Sequence, residues 1–307
     1  MKISVIGAGN VGATCAHILA SKGFAQEVVM LDILEKVPIG KGLDIWEAAP
    51  VANSDTFMSG TNSYQDTANS DIVVITAGLA RVPGMTREDL LAKNTAIVKE
   101  CTQSVIQHSP NAILIVVSNP LDTMTYVAYK VSKFPHKRVM GMAGILDTSR
   151  YRSFIAMELK VSVEDVAAVV LGGHGPTMVP LPRLTTVGGV PLTDLLPKER
   201  IDAIVKRTQE AGTEIVNLLG KGSAYYAPAA AAAQMCESIA KDKKRVLPCA
   251  CWLTGEYGLK DLFMGVPAIL GKAGVEKVLE IKFTPEEREL FQKSAEKIRT
   301  TMLEAKL

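Results

Sequence analysis

The sequence predicts an α/β protein in two parts: helices wound around a parallel sheet over residues 1–143, then a mixed α+β part over residues 144–307. Three observations carry that expectation. A short apolar run, ISVI at residues 3–6, passes through a glycine-rich turn into helix-like sequence. Further apolar runs recur at 28–31, 71–77 and 113–118, as buried parallel strands do when helices cover both sheet faces. Beyond Gly144 the pattern changes to longer helical stretches and strand-like segments without that alternation.

Composition excludes several other classes. The chain has 307 residues, 48% hydrophobic and 21% charged, which suits a compact core and rules out a disordered, collagen-like or coiled-coil chain. At about 150 residues per domain, this length suggests two domains. The 34 Lys and Arg nearly balance the 32 Asp and Glu, and no basic tract resembles a nucleic-acid footprint. The opening MKISVIGAGN enters a strand-like run without a charged leader, and no apolar run approaches membrane-spanning length. A cytoplasmic protein without a membrane partner is expected. Cys15, Cys101, Cys236, Cys249 and Cys251 form an odd set without a CxxC pair, so reduced, buried thiols and no metal are expected.

Taken in order, the first segment reads as strand 3–6, glycine turn 7–12, helix 11–22 and strand 28–31 ending on Asp32. Strands at 71–77 and 113–118 flank a helix at 90–106, and 138–142 closes this half. The second half begins with a helix at 148–159, strand-like residues at 166–171, and a strand at 183–190 entering a glycine turn. Helices follow at 199–219 and 227–240, antiparallel strands at 246–253 and 265–270, and a closing helix at 285–303 with Thr284 as its cap and Pro285 in its first turn.

The glycine turn specifies a ligand class. In Gly7-Ala8-Gly9-Asn10-Val11-Gly12 the first glycine permits the tight turn, the second lets a pyrophosphate approach the backbone, and the third lets helix and sheet pack closely. Unpaired N–H groups at the helix start then face the phosphates. Placed after a strand, and with Asp32 twenty residues past Gly12, the motif predicts a Rossmann dinucleotide-binding domain. A carboxylate at Asp32 suits adenosine ribose hydroxyls and repels a 2′-phosphate, while Ile33 and Leu34 add no cation, so NAD is expected over NADP.

Of the four histidines, His17, His108 and His136 read as surface or structural residues. His174 differs because Gly172-Gly173-His174-Gly175-Pro176 presents one titratable ring immediately after a strand-like run. Asp147 is a candidate to orient it and shares a helix face with Arg150, three residues on. Arg81 and Arg87 lie in a Gly-Pro-rich stretch at the end of a strand, suited to closing over a cofactor. Three separated arginines suggest a small substrate with more than one anionic group, because guanidinium forks match carboxylates.

With these residues in view, the chain resembles the malate and lactate dehydrogenase family, most closely its bacterial malate dehydrogenases of lactate-dehydrogenase-like type. The resemblance rests on residues 7–12, Asp32, the RxPGMxRxDLL pattern within 77–91, VSNPLD at 117–122, DTSR at 147–150, GGHG at 172–175, GSAYYA at 222–227 and GVP at 265–267. It implies that His174 donates and accepts the proton, with Asp147 as its partner and Arg150 on the substrate's α-carboxylate. It further implies that Arg87 polarises the reacting carbonyl, and that Arg81 meets the second carboxylate of malate or oxaloacetate. Asn119 would touch substrate and cofactor, while Asn94, Val117 and Ser118 would help seat NAD. A homotetramer is expected by resemblance, with a homodimer as the alternative; lactate dehydrogenase is the alternative activity. One departure is visible: the family commonly carries Asp after the His-Gly pair, where this chain has Pro176.

Overall fold

A computed structural model describes residues 1–79, 86–220 and 222–305. The first half runs β1 (Lys2–Ile6), α1 (Asn10–Ser21), β2 (Glu27–Leu31), α2 (Val37–Glu47), α3 (Ala49–Ala52), β3 (Phe57–Thr61), β4 (Ile72–Ile75), α4 (Arg87–His108), β5 (Ile113–Val116), α5 (Leu121–Ser132) and β6 (Val139–Gly141). The predicted strands are present, and three elements between residues 33 and 70 are additional. Helix α2 escapes the periodicity because its buried positions are Pro38 and Gly42 rather than large apolar side chains. Strand β3, FMSGT, likewise lacks a continuous apolar run. Helix α5 is also additional.

These strands pair in parallel in the order β3-β2-β1-β4-β5-β6. The direction of winding reverses between β1 and β4. Ligands collect beyond the carboxyl ends of strands at such a switch point. Asp32, Ala77 and Val117 through Asn119 all follow strand ends at this edge.

The second half contains α6 (Gly144–Leu159), β7 (Val166–Ala167), β8 (Val170–Leu171), β9 (Val179–Pro180), β10 (Thr186–Val187), β11 (Val190–Pro191), α7 (Leu192–Leu195), α8 (Lys198–Leu219), α9 (Tyr226–Ala240), β12 (Arg245–Thr254), β13 (Lys260–Gly271), β14 (Gly274–Val278) and α10 (Pro285–Glu304). Strands β12, β13 and β14 continue the first sheet antiparallel, with Ala250 opposite Gly141, making nine strands. Both halves therefore share one sheet. Helix α10 begins with the expected Thr284 cap, reinforced by Glu287 in a reciprocal capping box.

Three local expectations need correction. Helix α6 starts at Gly144 rather than 148, which puts Asp147 in its first turn and leaves Ala143 at the cap. The run 166–171 divides into β7 and β8, which join different sheets. The expected strand over 183–190 is mostly a tight 3₁₀ turn, Pro182–Leu184, and the two-residue β10; Pro182 fixes that turn.

All five cysteines are buried and unpaired, and the Cys249 and Cys251 sulfurs lie 3.6 Å apart. Burial pushes the thiols of Cys15, Cys236 and Cys101 upward, and that of Cys251 rises through its contact with Cys249 and through burial. Helices α1 and α9 are tied by Glu237, which accepts from Lys22 at 2.9 Å, Lys241 at 3.4 Å and Lys243 at 2.5 Å. Hydrogen bonds from Lys243 and Lys22 hold its carboxyl down to about 2. Among the described residues, no helix is long and apolar enough to cross a membrane.

Candidate active site

The cofactor side is built almost wholly from main chain. Gly7, at φ +107°, donates its N–H to Leu31 at 2.7 Å, and Ala8 donates to Asp32 Oδ2 at 2.6 Å. Asp32 Oδ1 accepts from Leu34 at 2.9 Å. The turn is thereby fixed to the end of β2. Packing at Gly12 is so close that a Cβ there would sit 1.8 Å from the Gly7 carbonyl oxygen. At Gly9 the opposite holds: a Cβ would meet nothing within 4 Å, and no side chain caps α1. Asn10 and Val11 open the helix beside this space. An open glycine, an uncapped helix start and an acid at the next strand end suit a dinucleotide: N–H groups for its pyrophosphate and a carboxylate for its ribose.

Lys41 of α2 adds a group that the sequence left unassigned. Its ammonium donates to the carbonyl of Ala8 at 2.7 Å, the residue whose N–H meets Asp32. Nine residues separate Lys41 from Asp32, so only the turn into α2 brings the cation to the glycine loop.

The strand ends are joined beneath the site by Asn94. This residue is 1% exposed; its Oδ1 accepts from Leu79 at 2.7 Å, while Nδ2 donates to the carbonyls of Asn119 at 2.7 Å and Leu79 at 3.2 Å. Its amide is thus engaged with main chain, which suits a strut more than a ligand-facing group. Ser118 is similar, donating to Ala77 at 2.6 Å, and Val117 is buried. Asn119 is exposed at the edge.

His174 and Asp147 meet as expected. The ring Nδ1 lies 2.9 Å from Asp147 Oδ2, with the histidine side chain 13% exposed and the aspartate 2%. Asp147 Oδ1 lies 3.6 Å from Arg150 Nη1. Burial works against protonation of the ring, but the Asp147 charge and hydrogen bond prevail and raise the His174 pKa, against opposition from Arg150. With Nδ1–H held by the carboxylate, Nε2 is left for proton exchange. Burial lowers the Arg150 pKa while Asp147 opposes this. Arg150 Nε has no hydrogen-bond partner among the described residues. Gly212 of α8 lies beside the guanidinium, where a Cβ would stand in ordinary contact, 3.9 Å from both terminal nitrogens.

Arg81 and the side chain of Arg87 lie outside the described residues; the Arg87 backbone opens α4. Pro176 is exposed, and the turn it occupies closes through the Met178 N–H to the Gly175 carbonyl at 3.0 Å. Sequence reasoning also assigned no part to Asp122 or Ser294, which bind the main chain of His174 and Gly173. Among the described residues no cluster of His, Cys, Asp and Glu could hold a metal.

A dinucleotide turn and a buried histidine–carboxylate pair, beside an incompletely paired arginine, define a dinucleotide-binding protein equipped for acid–base chemistry on an anionic substrate. The family model described as lactate/malate dehydrogenase, NAD binding domain, matches residues 1–141, and the lactate/malate dehydrogenase alpha/beta C-terminal domain matches 145–306. The chain is 60% identical over 295 residues to a malate dehydrogenase from Chlorobium limicola, covering 96% of this chain and 95% of the relative. Malate dehydrogenase from Salinibacter ruber superposes with a TM-score of 0.96 at 55% identity, covering 99% and 97% of the two chains. Lactate dehydrogenase from Cryptosporidium parvum, solved with lactic acid and nicotinamide adenine dinucleotide, gives 0.95 at 43% identity over 99% and 97%. This chain belongs to the lactate/malate dehydrogenase family.

Proposed function

We propose that the chain is an NAD-dependent malate dehydrogenase, interconverting (S)-malate and oxaloacetate. The observation that carries the chemistry is the 2.9 Å contact between His174 Nδ1 and Asp147, with Arg150 on the other oxygen of the same carboxylate. Residues 1–143 form the cofactor domain and 144–307 the substrate domain. Gly7 through Gly12 and Asp32 bind NAD, with Asn94, Val117, Ser118 and Asn119 supporting its nicotinamide end.

Held by Gly7 through Gly12 and Asp32, the dinucleotide would supply hydride exchange at C2 of oxaloacetate or malate. Arg150 holds the α-carboxylate and so fixes C2 beside His174. Protonated His174 gives its Nε2 proton to the carbonyl oxygen in reduction, while the neutral ring takes the hydroxyl proton in oxidation. Asp147 stabilises the imidazolium and keeps the tautomer. Arg87 stabilises negative charge developing on the reacting oxygen, an interaction stronger in the transition state than in the ground state. Arg81 pairs with the distal carboxylate.

The lactate dehydrogenase reading differs chiefly at Arg81, because pyruvate has no second carboxylate and would leave a desolvated guanidinium unpaired. Fold does not separate the two activities, since the Cryptosporidium parvum lactate dehydrogenase superposes nearly as well as the Salinibacter ruber malate dehydrogenase. The protein is assigned to the cytoplasm and to a homotetramer, with a homodimer as the second possibility; the exposed Ile39, Leu43 and Trp46, on one side of α2, offer an apolar face for self-association.

Reduction of oxaloacetate and pyruvate by the purified chain at saturating NADH tests this reading. Oxaloacetate should have the higher kcat/KM, and Arg81→Gln should reduce the oxaloacetate-to-pyruvate ratio by roughly 10² or more. Preference for pyruvate in the unaltered protein would overturn the assignment.

A further inference from the structure

Three successive N–H groups hold the segment that carries His174, and each reaches a different element. Gly172 donates to the Gly265 carbonyl of β13 at 2.9 Å, Gly173 to Ser294 Oγ of α10 at 2.8 Å, and His174 to Asp122 Oδ2 of α5 at 3.0 Å. Ser294 is fully buried and Asp122 only 8% exposed. Of the three acceptors, only Asp122 carries a charge.

That charge is costly where it sits. Asp122 Oδ1 is buried without a hydrogen-bond partner among the described residues, and burial pushes the carboxyl up to about 6 despite the His174 N–H and ring that favour its ionised form. Position in the first turn of α5 favours an acid generally. It does not explain a bond to a residue 52 positions away, for which a neutral amide oxygen would serve equally. The carboxylate therefore supplies something besides an acceptor.

We propose that Asp122 is a positioning residue for His174, fixing its main chain from α5 while its negative charge, with that of Asp147, favours the protonated ring; Ser294 is the neutral companion that fixes Gly173. Among the described residues, the charged groups facing the ring are Asp147 and Arg150 from α6 and Asp122 from α5. Helix α10 contributes Ser294 and the apolar Ile298, and β13 contributes main chain. Asp122 remains largely ionised above about 6, so its field acts throughout the neutral range and weakens in acid. The inference rests on the acid–base reading of His174.

The test compares Asp122→Asn, Asp122→Ala and Ser294→Ala, each first checked for folding and NADH binding, by kcat/KM against pH in both reaction directions. Asn retains an acceptor but not the charge, so His174 should release its proton at lower pH. The alkaline limb of oxaloacetate reduction and the acid limb of malate oxidation should both move down, with reduction at pH 8 falling about threefold. Asp122→Ala, which also removes the acceptor, should lose about tenfold in kcat. Ser294→Ala should lower kcat without moving either limb. Unmoved limbs in Asp122→Asn would overturn the proposal. Should that variant fail to fold, Asp122→Ser carries the same expectation, and failure of both would make the carboxylate a folding element and equally overturn it. His174→Asn is the control: if it remains active, the acid–base reading itself fails, whereas an inactive control with unmoved Asp122→Asn limbs removes only the present inference.

Discussion

At the glycine turn, Gly7, Gly12 and Asp32 come together through one βαβ unit, whereas the His174 segment is held by side chains from elements as far as 121 residues away. The first region works through main-chain N–H groups and empty space at Gly9. The second works through buried charges whose protonation states depend on one another. The contrast teaches how a binding site and a chemical site differ in their demands. A pyrophosphate needs a helix start and a close approach, which adjacent residues can provide. A proton-transfer group needs its orientation and affinity fixed together, which requires partners from several directions.

If the regions are separable, breaking the charged one should leave the main-chain one intact. Asp147→Asn should lower turnover by roughly 10² or more while NADH still binds, because the ring loses the carboxylate that fixes its tautomer. The sign of its pH effect follows from the raised His174 pKa: without Asp147 the proton required for oxaloacetate reduction is lost at lower pH. Steady-state rates over pH 6–9 check both parts. A smaller effect is expected on the other side. Asp32→Ala combined with Ile33→Arg should narrow the NADH-over-NADPH preference in kcat/KM by about tenfold, since it removes the carboxylate and adds a cation for a 2′-phosphate. Comparable wild-type use of both cofactors would defeat this account of Asp32.

The same contrast explains what could be read from the sequence. The ISVI run, glycine spacing and Asp32 all lie within 32 residues, so strand, turn, helix and cofactor class were legible together. His174 stood out by its glycine frame, and Asp147 with Arg150 by helical spacing. Asp122 and Ser294 gave no comparable signal, because their significance lies in bonds to Gly173 and His174 created by tertiary packing. Lys41 was hidden for a related reason: α2 buries Pro38 and Gly42, so the helix that delivers its ammonium lacks a clear apolar stripe. Asn94 was legible by resemblance, but its contacts with Leu79 and Asn119 depend on strand ends brought together by the sheet.

A contact between the two halves, away from both sites, sets the lower end of the scale. Glu237→Gln should destabilise the α1–α9 contact by about 1 kcal/mol, a couple of degrees in Tm, because its lysine partners are substantially exposed and screened. Its carboxyl is depressed to about 2 in the folded protein from an ordinary 4.5, so this contribution is full above about pH 4.5 and disappears as pH falls towards 2. Thermal unfolding of both proteins over that range measures it; NADH binding and turnover at neutral pH should be unchanged.

The most direct measurement pairs NADH titration with oxaloacetate turnover in His174→Asn. Independent binding and proton-transfer regions predict an NADH Kd close to that of the unaltered protein, with turnover reduced by roughly 10² or more. Near-normal turnover would show that another group moves the proton, and loss of NADH binding in a folded variant would show that the two regions are not separable.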